Sequence, residues 1–437
     1  MVGERIFGTD GIRGQFGGKY VCEDFFRKIG EAIGALAASR HWRRILVGDD
    51  GRRSAGILRA ALLSGLPDDL EVLSVGTLST PAIAFSAKKF SADVALALTA
   101  SHNCAADNGV KFFSGQGWKW TRGDEVALEC AIGERLSPSG GRRSAVADIS
   151  AEAVAAYGDH FLSLLPSNAL AGKLMVLDGA NGAAAWLAQK LYVALGATVE
   201  QLGNDPNGLN INENCGSEHP ELLCERVKNC GAHWGVAVDG DGDRAVICDS
   251  SGAVVPGELI MAPIAVHLGA DTLVTTVLSN GALEAHLEKF SIAVRRTDVG
   301  DRNVAEDMKR CGSAFGGEPS GHFIWMAAGP VADGLLAAAL FFAATADGCR
   351  WRFPLNGSAA GSVAVRRPIP LGDATHLSAA LARARAALGG SGRAIVRYSG
   401  TESKLRLSVE AKTSQDAEMW LNELCSAFGA DVAANGQ

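Results

Sequence analysis

VALALTASHNCAADNGVKFF, Val94–Phe113, joins a short apolar run to a serine, a histidine, two asparagines, an aspartate and a lysine. VALALT is apolar and β-compatible, so it reads as a buried strand and the polar cluster as the loop leaving it. In α/β folds that loop position is where chemistry collects. KLMVLD with Asn181-Gly182 and TLVTTVLS with Asn280-Gly281 repeat the arrangement seen with Asn108-Gly109: strand, Asn-Gly loop, helix-compatible run. Asn-Gly tolerates positive φ, and Ala- and Leu-rich runs after it favour helix. The repetition predicts three related α/β units.

The 437 residues can bury large cores, and ordinary domain size predicts two to four domains. A formal charge of -7 argues against a general nucleic-acid surface. The 10 cysteines are scattered without a CxxC pair and read as reduced thiols. FGTDGIRG follows Met1 too closely for an apolar signal segment, and LLAAALFFAATA is too short to span a bilayer, so the expected location is the cytoplasm, with no membrane partner. Linker composition in SPSGGRRSAVADIS, SSGAVVPGE and RWRFPLNGSAAG divides the chain at 1–152, 153–255, 256–362 and 363–437. The tail, with AIVRYS and KLRLSVEA around HLSAALARARAALGG, predicts a small α+β domain.

WGVAVDGDGDRAVICD sets Asp239, Asp241 and Asp243 between two strand-like runs, separated only by glycines and followed by Arg244. Three such carboxylates repel one another, and a divalent cation relieves the repulsion. An EF-hand is excluded, because its sixth position is Arg244 and its twelfth Ser250. Few ligands and an open coordination position favour Mg²⁺ holding a phosphate; the alternative is a solvated acidic turn. Ser101 reads as a nucleophile, an N-cap or a plain loop serine. His102 beside it can hydrogen-bond, and Lys111 can supply charge or a proton.

FGGEPSGH, Phe315–His322, offers Glu318 and Ser320 for hydroxyl or amino groups and His322 for a proton, or else a glycine-rich turn around a satisfied histidine. RYSGTESKLRLS offers Ser399, Gly400 and Thr401 in one turn flanked by Arg397 and Arg406. That is either a phosphate cradle or a hairpin with solvated arginines. No Walker or dinucleotide loop occurs.

In this order, FGTDGIRG, TASHNCAADNGVKFF, DGDGDR, GGEPSGH and RYSGTESKLR resemble the α-D-phosphohexomutase superfamily over almost the whole chain. NGLNINENCGSEH and TDVGDRNV look most like its bacterial members that interconvert glucosamine 6-phosphate and glucosamine 1-phosphate for cell-wall precursors. The resemblance implies three α/β mixed-sheet domains and a C-terminal phosphate-binding domain around a central cleft. It implies a phosphoserine at Ser101, one Mg²⁺ held by Asp239, Asp241, Asp243 and the serine phosphate, and that phosphate steadied by Arg13 and Arg244. Glu318 and Ser320 would hold the sugar. Arg397, Ser399, Gly400, Thr401 and Arg406 would grip the phosphate that is not reacting. Lys111 and His322 are the candidates for proton transfer, with a glucosamine 1,6-bisphosphate intermediate.

Departures from the family pattern are Cys104 after SHN, Tyr398 and Ser403 in the C-terminal loop, and Pro319, where the glucosamine enzymes usually carry an amide residue. Pro319 keeps a phosphomannomutase or phosphoglucomutase as the rival reading, beside a catalytically silent sugar-phosphate binder. Priming of Ser101 by a kinase, by the bisphosphate or by autophosphorylation stays open, as does a monomer or a homodimer. The apolar face of EDFFRKIGEAIGALAAS can pack internally or on a partner.

Overall fold

The computed structural model describes residues 6–8, 10–133, 146–346, 351–399 and 403–435. It opens with β1 (Ile12–Gln15), α1 (Glu23–Arg40), β2 (Arg44–Asp49), α2 (Ala55–Gly65), β3 (Glu71–Thr77), α3 (Thr80–Lys89), β4 (Val94–Leu98), β5 (Asp107–Ser114), α4 (Arg122–Gly133) and β6 (Ala147–Asp148). The six strands form one sheet in the order β1-β5-β4-β2-β3-β6. β2, β3, β4 and β6 run parallel, whereas β5 is antiparallel to both β4 and β1. Every residue of VALAL in β4 is buried, as expected of a strand covered on both faces.

Asn108-Gly109 departs from the expected strand, loop and helix: it lies inside β5, so the first unit turns back as a strand. A Cβ at Gly109 would sit 2.2 Å from the Ile12 carbonyl oxygen and 2.8 Å from that of Thr99. The glycine therefore permits close approach of backbones within a sheet rather than a turn. The apolar VKFF run that follows continues the strand.

The expected pattern does hold in the next two units. After α5 (Ser150–Ser163) come β7 (Leu174–Asp178), α6 (Ala185–Ala194), β8 (Thr198–Leu202), α7 (Glu221–Cys230), β9 (Trp234–Val238), β10 (Ala245–Asp249) and β11 (Val254–Val255), in a sheet ordered β11-β10-β9-β7-β8. Then follow α8 (Gly257–His267), β12 (Thr272–Thr276), α9 (Ala282–Leu287), β13 (Ala293–Thr297), α10 (Asp301–Cys311), β14 (Phe315–Gly317), β15 (Phe323–Trp325) and α11 (Gly334–Thr345), with the sheet order β13-β12-β14-β15. Both sheets mix parallel and antiparallel pairs. The chain ends with β16 (Gly357–Ala364), α12 (Thr375–Leu388), β17 (Arg393–Tyr398), β18 (Lys404–Ala411) and α13 (Ser414–Ala434), whose three strands form an antiparallel sheet β16-β18-β17. The 152/153 division expected from linker composition falls within α5, and the 362/363 division falls within β16.

One apolar core runs continuously from Leu46 and Phe113 through Phe161 and Tyr192 to Phe315 and Phe341, joining the first three sheets. α11 explains the apolar run LLAAALFFAATA: it is buried on nearly every side, packed on α8, β9, β10 and β15. Among the described residues no helix is long and apolar enough to cross a membrane. Every described cysteine is a free thiol.

The apolar face of α1 packs internally, against α2 and α4. α1 and α2 meet through glycines: a Cβ at Gly30 would lie 2.0 Å from the Leu62 carbonyl oxygen, and one at Gly65 would lie 2.0 Å from that of Arg27. Gly30→Ala is therefore expected to cost about 1–3 kcal/mol through overpacking, read as a lower calorimetric unfolding midpoint.

Candidate active site

The turn between β9 and β10 carries Asp239, Asp241 and Asp243, all buried, with one oxygen from each within 4.8 Å of the others. Burial, reinforced by its two neighbouring carboxylates, raises the pKa of Asp239 to about 7. Asp241 Oδ1 and Asp243 Oδ1 are buried without a hydrogen-bond partner. Orphaned acceptors in a crowd of like charge are what a hard divalent cation satisfies, so this donor set fits a metal ion.

Lys111 projects from β5 onto the same carboxylates, its Nζ 2.7 Å from Asp241 Oδ2, 2.6 Å from Asp243 Oδ2 and 3.1 Å from Asp10 Oδ2. Burial opposes its charge, but Asp10, Asp241 and Asp243 outweigh burial and hold it well above the usual lysine range. Asp10 also takes Arg13, at 2.7 Å, and Lys119, at 2.8 Å. Lys119 continues to Asp301, at 2.6 Å, at the start of α10. One ion-pair chain thus ties the first sheet to the third unit. Arg13 Nε is buried without a partner, a donor free for an anion.

Ser101 sits just past β4 with φ +55°, a left-handed conformation unusual for a residue with a side chain. Its hydroxyl donates to Asp239 Oδ2 at 2.6 Å, and its backbone N–H donates to Thr99 Oγ1 at 2.8 Å. Arg52, fully buried, fixes the loop: it donates to the carbonyls of Ser101 (2.9 Å), Asn103 (2.8 Å), Asp107 (2.9 Å) and Cys104. Its Nε pairs with Asp50 at 2.9 Å, and Asp50 also accepts from Thr99 at 2.6 Å. Asn212 donates to the Ser101 carbonyl at 2.9 Å from the second unit. His102 Nδ1 lies 3.4 Å from the serine hydroxyl, and burial, with Arg244 adding, lowers its pKa to about 4.

On the opposite wall, the turn between β14 and β15 presents Glu318 and His322. His322 Nε2 stands 3.4 Å from Asp243 Oδ1 and 3.2 Å from Arg244 Nε; its Nδ1 stands 3.4 Å from Glu318 Oε2. Burial and Arg244 disfavour the imidazolium, but Asp243 and Glu318 prevail and raise the pKa to about 9. Glu318 Oε1 accepts from the Gly300 N–H at 3.0 Å. Arg244 donates its backbone N–H to Asp239 at 3.1 Å and extends to Glu218 at 3.0 Å.

Ser101, His102, Lys111, the three aspartates, Arg244, Glu318 and His322 thus converge, with Arg13 joined through Asp10. Ser320 is exposed in the same turn as Glu318. Arg397 and Arg406 pair across β17 and β18; burial and the charge of Arg406 lower the pKa of Arg397, with Glu318 offsetting in part. The Ser399 N–H donates to the Lys404 carbonyl at 2.9 Å. Gly400 and Thr401 lie outside the described residues.

Sequence reading missed Arg52, Asp50, Asp10, Lys119 and Thr80, which donates to Asp241 through its N–H (2.8 Å) and its hydroxyl. A signal for two of them was available: VGDDGRRS, Val47–Ser54, leaves β2 at the same edge as the serine loop leaves β4.

Family models of phosphoglucomutase/phosphomannomutase match this chain at residues 4–136 (alpha/beta/alpha domain I), 256–350 (alpha/beta/alpha domain III) and 363–426 (C-terminal domain). The chain belongs to the phosphoglucomutase/phosphomannomutase family, the phosphohexomutases. It is 39% identical over 428 residues to the phosphoglucosamine mutase of Symbiobacterium thermophilum, covering 93% of this chain and 94% of that one. It is 37% identical to that of Corynebacterium efficiens, covering 94% and 96%. The crystal structure of a phosphoglucomutase/phosphomannomutase family protein from Burkholderia thailandensis shares the fold, with a TM-score of 0.82 at 23% identity over 98% of each chain.

Two outcomes follow from the geometry. In the metal-free protein Asp239 releases its proton at about pH 7. Divalent-cation affinity should therefore rise as pH increases through that value and then level off, with a proton released below it, measurable by calorimetry in buffers of different ionisation enthalpy. Arg52→Ala strands the buried Asp50 charge and removes one donor from each of four carbonyls, which should cost about 3–5 kcal/mol in denaturant unfolding.

Proposed function

We propose that this phosphohexomutase interconverts glucosamine 6-phosphate and glucosamine 1-phosphate, carrying a phosphoryl group on Ser101 and passing through a bisphosphorylated sugar. The observation that carries the reading is the Ser101 hydroxyl bonded to Asp239 at 2.6 Å within the buried carboxylate triad, beside Lys111 and Arg244. A hydroxyl and a cation site joined in this way suit a phosphoserine. Mg²⁺ held by Asp239, Asp241, Asp243 and the serine phosphate would neutralise charge on the transferring group.

The chain's own residues do the rest. The left-handed conformation at Ser101 presents Oγ to the site, and the Arg52 clamp holds it there. Arg13, with its unpartnered Nε, and Arg244 steady phosphate oxygens. Lys111 balances the carboxylates, and Lys111 and His322 between them take the proton from the attacking sugar hydroxyl and return one to the oxygen that leaves phosphorus. Glu318 and Ser320 hold the sugar, while the paired Arg397 and Arg406, with Ser399, Gly400 and Thr401, hold the phosphate that is not reacting. After the first transfer the bisphosphate turns over, so that its other phosphate returns to Ser101.

We assign four domains around one cleft, the division at the C-terminal side placed before β16 so that its sheet stays whole. The location is cytoplasmic. Priming by a bisphosphorylated sugar fits this chemistry without a further partner. Pro319, whose Cα packs beside Gly257 at the start of α8, replaces an amide in the sugar-reading turn and is the one feature favouring a glucose or mannose phosphate instead.

³¹P NMR of primed enzyme with Mg²⁺ and glucosamine 6-phosphate, with glucose and mannose 6-phosphates in parallel, tests the reading. Glucosamine 1-phosphate should appear fastest and disappear with Ser101→Ala. Lys111→Ala and His322→Ala should each lower turnover by about 10²–10⁴-fold while phosphoserine content is kept. Turnover of a hexose phosphate alone would reassign the substrate, and turnover by Ser101→Ala would overturn the mechanism.

A further inference from the structure

Away from the carboxylates, a cavity of about 600 Å³ opens between α3, α5 and the segment from β15 to α11. That is the size of a small-molecule site rather than a packing defect. Phe85, Trp118, Phe161 and Leu336 give it an apolar wall. The His160 ring stacks on Phe85 at 4.6 Å, and its Nε2 is 3.0 Å from the Ala328 carbonyl, which makes that nitrogen the donor. The exposed charged residues of the lining are Lys88 and Lys89, which form no ion pair among the described residues; Lys309, outside the lining, rests over the ring of Trp118 at 4.6 Å. The one carboxylate in the lining, Asp333, is committed inward: it accepts from the Tyr157 hydroxyl at 2.6 Å and from the Leu336 N–H at 3.0 Å. Apolar walls with unpaired cations at the mouth select a ligand with an aromatic or other apolar body and an anionic group.

The walls of the cavity also hold the metal-binding turn. α3 begins at Thr80, whose N–H donates to the Asp241 carbonyl at 2.8 Å, and the next residue, Pro81, lines the cavity. α11 begins beside Asp333, and the Gly334 N–H donates to the Gly242 carbonyl at 3.1 Å. Both helix starts touch the cavity on one side and the turn bearing the carboxylates on the other.

We propose that this cavity is a second small-molecule site, for an amphipathic aromatic anion, and that its occupancy alters divalent-cation affinity at the Asp239–Asp243 turn through Thr80 and Gly334. The site requires no turnover, so its failure and that of the mutase reading are separable.

Naphthalene-1-sulfonate is the probe, titrated calorimetrically into the full-length protein. Saturable one-to-one binding is expected, weakened about tenfold by Ala327→Trp, which fills the mouth from an exposed position, and about fivefold by Lys88→Ala with Lys89→Ala. The uncharged 1-naphthylmethanol should bind wild type and the double lysine variant alike. Saturating probe should shift Mn²⁺ affinity, read by electron paramagnetic resonance, by about fivefold. Unchanged unfolding midpoints establish that the variants are folded. Absence of binding, or equal binding by all three proteins, would overturn the site; binding with unchanged Mn²⁺ affinity would overturn the coupling.

Discussion

Three carboxylates forced together on the turn between β9 and β10 are the constraint around which the molecule is arranged. Left alone, Asp239, Asp241 and Asp243 would repel one another in a water-poor interior, and Asp241 Oδ1 has no hydrogen-bond partner. The protein answers with cations from separate parts of the chain: Lys111 from the first sheet, Arg244 from the turn itself, and His322 from the third unit. Asp10 and Lys119 extend the alternation of charge to Asp301 on α10. Charge compensation at the site and cohesion between units are therefore the same set of contacts.

The serine loop illustrates how a strained backbone is held. A left-handed Ser101 persists because the surrounding structure overdetermines it: its carbonyl is gripped by Arg52 and Asn212, its N–H by Thr99, its hydroxyl by Asp239. Arg52 acts as a planar fork satisfying several carbonyls at once, a task the lysine ammonium is poorly shaped for. The Ser101 hydroxyl is thus positioned by a buried cation acting on its backbone.

The carboxylate turn, the serine loop that meets it and the turn bearing Glu318 and His322 were legible because their signals are local: residue type and spacing within a dozen positions. Asn108-Gly109 misled, because the same dipeptide serves a tight loop after β7 and β12 and a close approach of backbones inside β5. β16 was illegible for a different reason. GSAAGSVA carries almost no apolar alternation, and it forms a strand because β18 pairs along its whole length and α13 packs over it. Lys119 and Asp301 lie far apart in sequence, each an ordinary charged residue until the fold brings them within 2.6 Å. Arg52 was obscured by standing among surface-like charges, although its strand-end position marked it.

Whether Ser101 is the group that carries phosphate is read directly by peptide mass spectrometry. Protein incubated with glucosamine 1,6-bisphosphate and Mg²⁺, then digested, should carry one phosphoryl group on the peptide containing Ser101, and that group should leave when hexosamine monophosphate is added. Phosphate located on another residue, or an unmodified Ser101 in protein that turns substrate over, would contradict it.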